Sequence, residues 1–98
     1  MKAQQATQLS REALLIIVEK SVPKLLKKCE KGIQEATKFG LFYCDVYGYG
    51  YLQSYFVQRK VQSILTQRGF TVELLRTGEL RIEWPGWPGG TVEFQTIG

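Results

Sequence analysis

The sequence has no histidine, a single aspartate (Asp45) and two cysteines among 98 residues. Each scarcity removes a class of chemistry. Without histidine and with one aspartate the usual general bases are scarce, and Ser54 has no neighbouring base or motif to activate it. Cys29 and Cys44 do not fall at a metal-ligand spacing, and no histidine completes a zinc set, so neither a metal nor a cofactor is expected. Two free thiols suit a reducing compartment. The apolar run Leu14 to Val18 is too short for a membrane span or a signal-peptide core. The expectation is a non-enzymatic, cytoplasmic protein with no membrane partner and no catalytic residues.

What is present is the composition of one globular domain over residues 1–98, with 44% hydrophobic and 22% charged residues. A chain of this length buries roughly 60–65% of its unfolded surface, so self-association is a reasonable route to more burial. Residues 1–8 are polar enough to be expected flexible, and residues 85–90 read as a rigid proline-glycine turn. The net charge of +4 suits acidic partners only weakly.

Apolar residues recur at Leu15, Val18, Val22, Leu25, Cys29, Ile33, Ala36 and Phe39, in steps of three and four that predict a helix. Ser10 is the expected N-cap, Gly40 the stop, and Pro23 the site of a kink or a junction between two helices. Leu14, Ile16 and Ile17 lie off that stripe, so the first half is apolar over most of its circumference. A second copy of the chain docked on Leu14, Ile16 and Ile17 is the expected cover.

From Leu41 the pattern alternates. Phe42, Cys44 and Val46 form an apolar face, and Tyr43, Asp45 and Tyr47 a tyrosine-rich one. A glycine-punctuated loop leads into a helix over about 52–68, with Val57, Val61, Ile64 and Leu65 inward and Gly69 as its stop. Residues 69–84 then predict a β-hairpin. A three-residue loop, Arg76 to Gly78, keeps the apolar residues together by pairing Phe70 with Trp84, Val72 with Ile82 and Leu74 with Leu80. It sets Glu73 opposite Arg81 and leaves Leu75 on the polar face. Thr91–Ile97 is a candidate fourth strand. The fold class is therefore α+β: a kinked N-terminal helix, then β-α-β-β, with a small antiparallel or mixed sheet packed on helices.

Over residues 33–84 the chain resembles a group of small accessory proteins of tailed bacteriophages. The resemblance rests on Ile33, Ala36 and Gly40 before the first strand, on Leu65, Gly69, Phe70 and Val72 at the helix-to-strand junction, and on Gly78, Leu80, Ile82 and Trp84. It implies a phage-encoded protein: a virion-assembly part, or an antagonist of host defence that sequesters a nucleotide signal as an oligomer. It carries no functional residue over to this chain.

All five tyrosines fall in one run, Y-C-D-V-Y-G-Y-G-Y-L-Q-S-Y, from Tyr43 to Tyr55. A strand, a glycine-rich turn and a helix start together present backbone N–H groups to anions. Gly48, Tyr49 and Gly50 begin like a dinucleotide fingerprint, but Gln53 stands where its third glycine belongs. Tyr43, Tyr47, Tyr49 and Tyr51 offer rings on which a base could stack, and Asp45 is the only carboxylate beside the loop. A lone acid there reads first as a hydrogen-bond partner.

Lys20, Lys24, Lys27 and Lys31, with Lys28 alongside, line one helix face. Trp87 is a further candidate anchor. The candidate ligand set is therefore Tyr43, Asp45, Tyr47, Gly48, Tyr49, Gly50, Tyr51, Trp87, Lys24 and Lys31. It suits a nucleotide-like anion held by a homo-oligomer, or, as the alternative, a protein partner with no small ligand. Nucleic acid ranks below both.

Overall fold

The structure is a computed structural model that describes residues 1–86. Trp87 and the candidate strand Thr91–Ile97 lie outside the described residues. Helix α1 runs from Ala3 to Lys38, helix α2 from Ser54 to Gln67, and three strands follow the order β1 Tyr43–Tyr47, β2 Thr71–Leu74 and β3 Glu79–Glu83 in the chain.

Helix α1 starts eight residues earlier than its capping signal implied. Gln4, Gln5 and Gln8 are good helix formers, and the Gln5 side chain accepts the backbone N–H of the N-cap residue Lys2 at 2.9 Å, while the Lys2 side chain makes no cap hydrogen bond of the kind expected of Ser10. Pro23 does not divide the helix, which is one unbroken element of 36 residues. Proline removes one hydrogen bond from the ladder, and the burial of Val22 and Leu25 on either side of it holds the backbone helical. Both helices end in the same way. Leu41 N–H reaches Ala36 O and Gly40 N–H reaches Thr37 O. Phe70 N–H and Gly69 N–H make the matching pair to Leu65 O and Thr66 O. This is the Schellman arrangement, which needs a left-handed residue, and Gly40 and Gly69 have φ of +72° and +99°.

The strands lie in the order β1-β3-β2, and both pairings are antiparallel. The predicted hairpin register is the one observed, with Val72 opposite Ile82, Glu73 opposite Arg81 and Leu74 opposite Leu80. Its loop is Arg76 to Gly78: Leu75 N–H donates to Glu79 O at 2.9 Å, and Gly78 has φ of +91°. Phe70 and Trp84 meet edge to face, with centroids 6.0 Å apart. Leu75 is half-buried rather than exposed. Strand β1 takes the far side of β3, so α2 carries the chain across β3 between two strands that run the same way.

The core is one cluster. Leu25 and Cys29 from α1, Val57, Val61 and Leu65 from α2, and Leu80 and Ile82 from β3 are fully buried. Helix α1 packs under β1 and helix α2 under β2. The apolar stripe of α1 does not face this core along its whole length. Strands of five residues span only about 17 Å, whereas 36 helical residues span about 54 Å. The buried residues of α1 all lie at Val22 or beyond, and the molecule is 70 Å long by 23 Å and 20 Å. Leu15 and Phe39, placed on the stripe by spacing, are 63% and 79% exposed. Residues 3–17 form an arm that carries exposed Leu9 and Ile16, with Leu14 and Ile17 half-buried. Among the described residues no helix is long and apolar enough to cross a membrane.

Candidate functional site

Among the described residues the sheet packs one face on the two helices and leaves the other open, a common outcome for antiparallel sheets. In β1, Val46 is buried and Cys44 half-buried, while Tyr43, Asp45 and Tyr47 point outward. The alternation read from the sequence is thus the observed one. Register places Glu79, Arg81 and Glu83 of β3 beside them, and Thr71 and Glu73 of β2 beyond.

At the centre of this face Arg81 binds Asp45 at two points, Nε to Oδ1 at 2.8 Å and Nη2 to Oδ2 at 3.0 Å. The hydrogen bond from Arg81 holds the Asp45 carboxyl below its ordinary value and raises the guanidinium in turn. Arg81 was expected to answer Glu73 within the hairpin. It is equally opposite Asp45, and the planar fork matches a carboxylate presented at that distance. Glu73 adds only a weaker attraction. A carboxylate so held is a poor proton acceptor, and its chemistry is that of an ion-pair partner.

The tyrosines divide into two groups. Tyr43 lies at one end of β1, where it lines a cleft of about 350 Å³ with Leu41, Phe42, Glu83 and Trp84. Tyr47 lies at the other end and meets Tyr49 edge to face, with centroids 5.3 Å apart. All three are about half exposed. Tyr51 instead turns under and packs on the core.

The loop glycines have packing reasons. A Cβ on Gly48 would overlap Leu80 Cδ1 and lie 2.9 Å from Gln58 Cγ, and one on Gly78 would lie 2.6 Å from the Tyr49 ring. Tyr49 therefore lies over the hairpin turn. The loop also uses its own polar groups. Gly48 N–H donates to Gly78 O at 2.9 Å, and the buried Gln58 amide donates to Gly48 O at 2.7 Å. Tyr51 N–H donates to Ser54 Oγ at 3.2 Å, and the Ser54 hydroxyl returns to Tyr51 O. Gly50 has φ of +97° with open space around its Cα.

Of the lysines, Lys28 reaches the site: its ammonium donates to Tyr47 O at 3.1 Å. Lys24 and Lys31 share its side of α1 by helical spacing. Gln58 was missed in the sequence although it stands three and seven residues before Val61 and Leu65, on the inner face of α2. Both thiols stay protonated at neutral pH, since burial pushes Cys29 up to about 12 and Cys44 up to about 11. Among the described residues no cluster of three or more histidine, cysteine or acidic side chains is placed to hold a metal ion.

No protein-family model, no curated protein and no solved structure matches the chain at a significant level.

Proposed function

We propose that this chain is a non-enzymatic protein-interaction module that engages its partner through the open face of the sheet. The observation that carries the reading is the spacing of the aromatic groups. Tyr43 and Tyr47 stand on one face at opposite ends of β1, about 13 Å apart for four residues of strand, with the Asp45–Arg81 pair between them. A surface of that length suits an extended partner, whereas a single base would stack at one end only. Exposed tyrosines bury large area while the hydroxyl stays wet. The test is affinity capture with the wild type and with Tyr43→Ala/Tyr47→Ala, compared by quantitative mass spectrometry after circular dichroism shows both folded. The reading expects a protein retained by the first and lost by the second. Identical captured sets would overturn it.

A second reading is favoured by one observation, the Lys28 ammonium beside the exposed Tyr47–Tyr49 pair. Here the ligand is a nucleotide-like anion, with a base on a ring and phosphate on the lysine. Thermal shift across mono-, di- and cyclic nucleotides tests it, and no shift with any of them rejects it. The exposed Leu9, Leu15 and Ile16 of the arm support self-association in either case. A phage-encoded protein acting in the host cytosol fits both readings.

A further inference from the structure

Among the described residues both outer strands leave an edge open, and that of β1 differs from that of β2. In β1, Trp84 N–H donates to Phe42 O and Gly48 N–H donates to Gly78 O. These two bonds fix the alternation of the antiparallel ladder. The backbone groups of Cys44 and Val46 are directed at β3, and those of Tyr43, Asp45 and Tyr47 point away from the sheet. Among the described residues only the Tyr47 carbonyl is met, by Lys28. The N–H groups of Tyr43, Asp45 and Tyr47 and the carbonyls of Tyr43 and Asp45 have no hydrogen-bond partner among the described residues. On β2 only Val72 and Leu74 point outward, and the Gln62 amide already covers the Val72 carbonyl at 2.8 Å.

A row of unpaired groups on an edge strand is a template for another strand. Its two flanks differ in chemistry. On the helix side run Lys24, Lys28 and Lys31 of α1. Gly32 places this part of the helix against Val46 and Cys44, and Lys28 marks the side that turns toward the edge. Glu35 is the one acid in that row, and Lys38 engages it at 3.8 Å. On the open side stand Tyr43 and Tyr47, with Glu73, Glu79 and Glu83 farther in and Asp45 already paired with Arg81.

We infer that the outer edge of β1 takes up an extended acidic peptide strand, whose acidic residues face the lysines of α1 and whose alternate aromatic or aliphatic residues lie beside Tyr43 and Tyr47. The inference rests on the interaction reading above and names the chemistry of its partner. Main-chain bonds supply the affinity and the two flanks supply the pattern, because side chains of a strand alternate between faces. A second copy of β1 fits less well. Antiparallel pairing about the edge would bring Asp45 opposite Asp45 and lysine row against lysine row.

The test is amide hydrogen exchange of the full chain, read residue by residue by NMR, with three synthetic peptides of about ten residues, enough for one strand. One alternates glutamate with valine and tyrosine. One has the same composition with the glutamates grouped. One alternates lysine in place of glutamate. The inference expects the alternating acidic peptide to slow exchange at Tyr43, Asp45 and Tyr47, with little effect of the other two. Lys24→Glu and Lys31→Glu, on an exposed helix face, should each weaken binding about three- to tenfold. Binding that shifts the Tyr43 and Tyr47 rings but leaves the three amides unprotected would overturn the edge inference and leave the interaction reading standing. Equal protection by all three peptides would overturn the acidic pattern. Protection that grows with protein concentration and no peptide would assign the edge to a second copy and overturn it as well. No binding of the alternating peptide, with a captured partner still lost in Tyr43→Ala/Tyr47→Ala, would reject the edge inference alone.

Discussion

Arg81 holds Asp45 through two parallel hydrogen bonds, 2.8 Å and 3.0 Å long, and this pair joins β1 to β3 across the middle of the open face. The pair also stands between Tyr43 and Tyr47, so the polar and aromatic parts of the surface are one arrangement.

The pair gives the protein a pH dependence of known sign. Because Arg81 lowers the folded-state pKa of Asp45, its contribution is fully present above the unfolded value of about 3.9. It is lost as pH falls through the lower folded value. Asp45→Asn should therefore lower the melting temperature slightly at pH 7, as expected for a partly exposed pair screened by solvent. The difference between wild type and variant should begin to shrink as the pH falls below about 4 and vanish only below the lower folded-state value. Melting curves from pH 7 to pH 2 check this.

Gly48 and Gly50 should respond differently to alanine. At Gly48 the new methyl would overlap Leu80 and Gln58, and overpacking of that kind costs about 1–3 kcal/mol. At Gly50 it meets open space, and the cost is that of holding alanine at positive φ, about 1–2 kcal/mol. Urea midpoints should place Gly48→Ala at or below Gly50→Ala. If Gly48→Ala instead leaves the midpoint unchanged, the packing reason for this glycine fails.

Gln58 tests the buried polar link behind the loop. Its amide satisfies Gly48 O at 2.7 Å from a position that is 9% exposed. Gln58→Leu removes the donor and strands the carbonyl, which should cost about 1–3 kcal/mol in urea unfolding.

How much of this was legible in the sequence follows from the range of each interaction. Strand faces and hairpin register were readable, because alternation and one glycine fix which residues oppose which. The helix stops at Gly40 and Gly69 were readable for the same local reason. The start of α1 was missed because Ser10 is a sound cap in isolation and the glutamines before it are merely compatible with helix. The reach of the core along α1 was missed because spacing says which face is apolar, not how far the sheet extends to cover it. The Asp45–Arg81 bond depends on β1 choosing the free side of β3, a contact 36 residues apart that no local pattern encodes. The division of the Tyr/Gly run into the outer face of a strand, a loop and a helix start was also readable, and Tyr43 and Tyr47 are surface as expected. What no local pattern gives is that Tyr49 covers the hairpin turn and that Tyr51 packs on the core.

The thiols should react slowly while the chain is folded. Burial pushes Cys29 up to about 12 and Cys44 up to about 11, so little thiolate forms at pH 8, and the fully buried Cys29 should react with an aromatic disulfide reagent only as fast as the protein opens. Since both pKa values are raised on folding, stability is intact below about pH 9 and should fall as the pH rises toward these values. Reaction rates with and without denaturant, and melting curves from pH 8 to pH 11, check both statements.

The central claim is that the open tyrosine face is where this protein meets a partner. The most direct measurement is quantitative capture with folded wild type, Tyr43→Ala/Tyr47→Ala, and a control on the opposite surface of the molecule, Lys60→Ala in α2. The account predicts a protein retained by wild type and by Lys60→Ala, and depleted roughly tenfold by the tyrosine variant, the loss of two aromatic anchors costing about 1.4 kcal/mol or more. A partner retained equally by all three would contradict it.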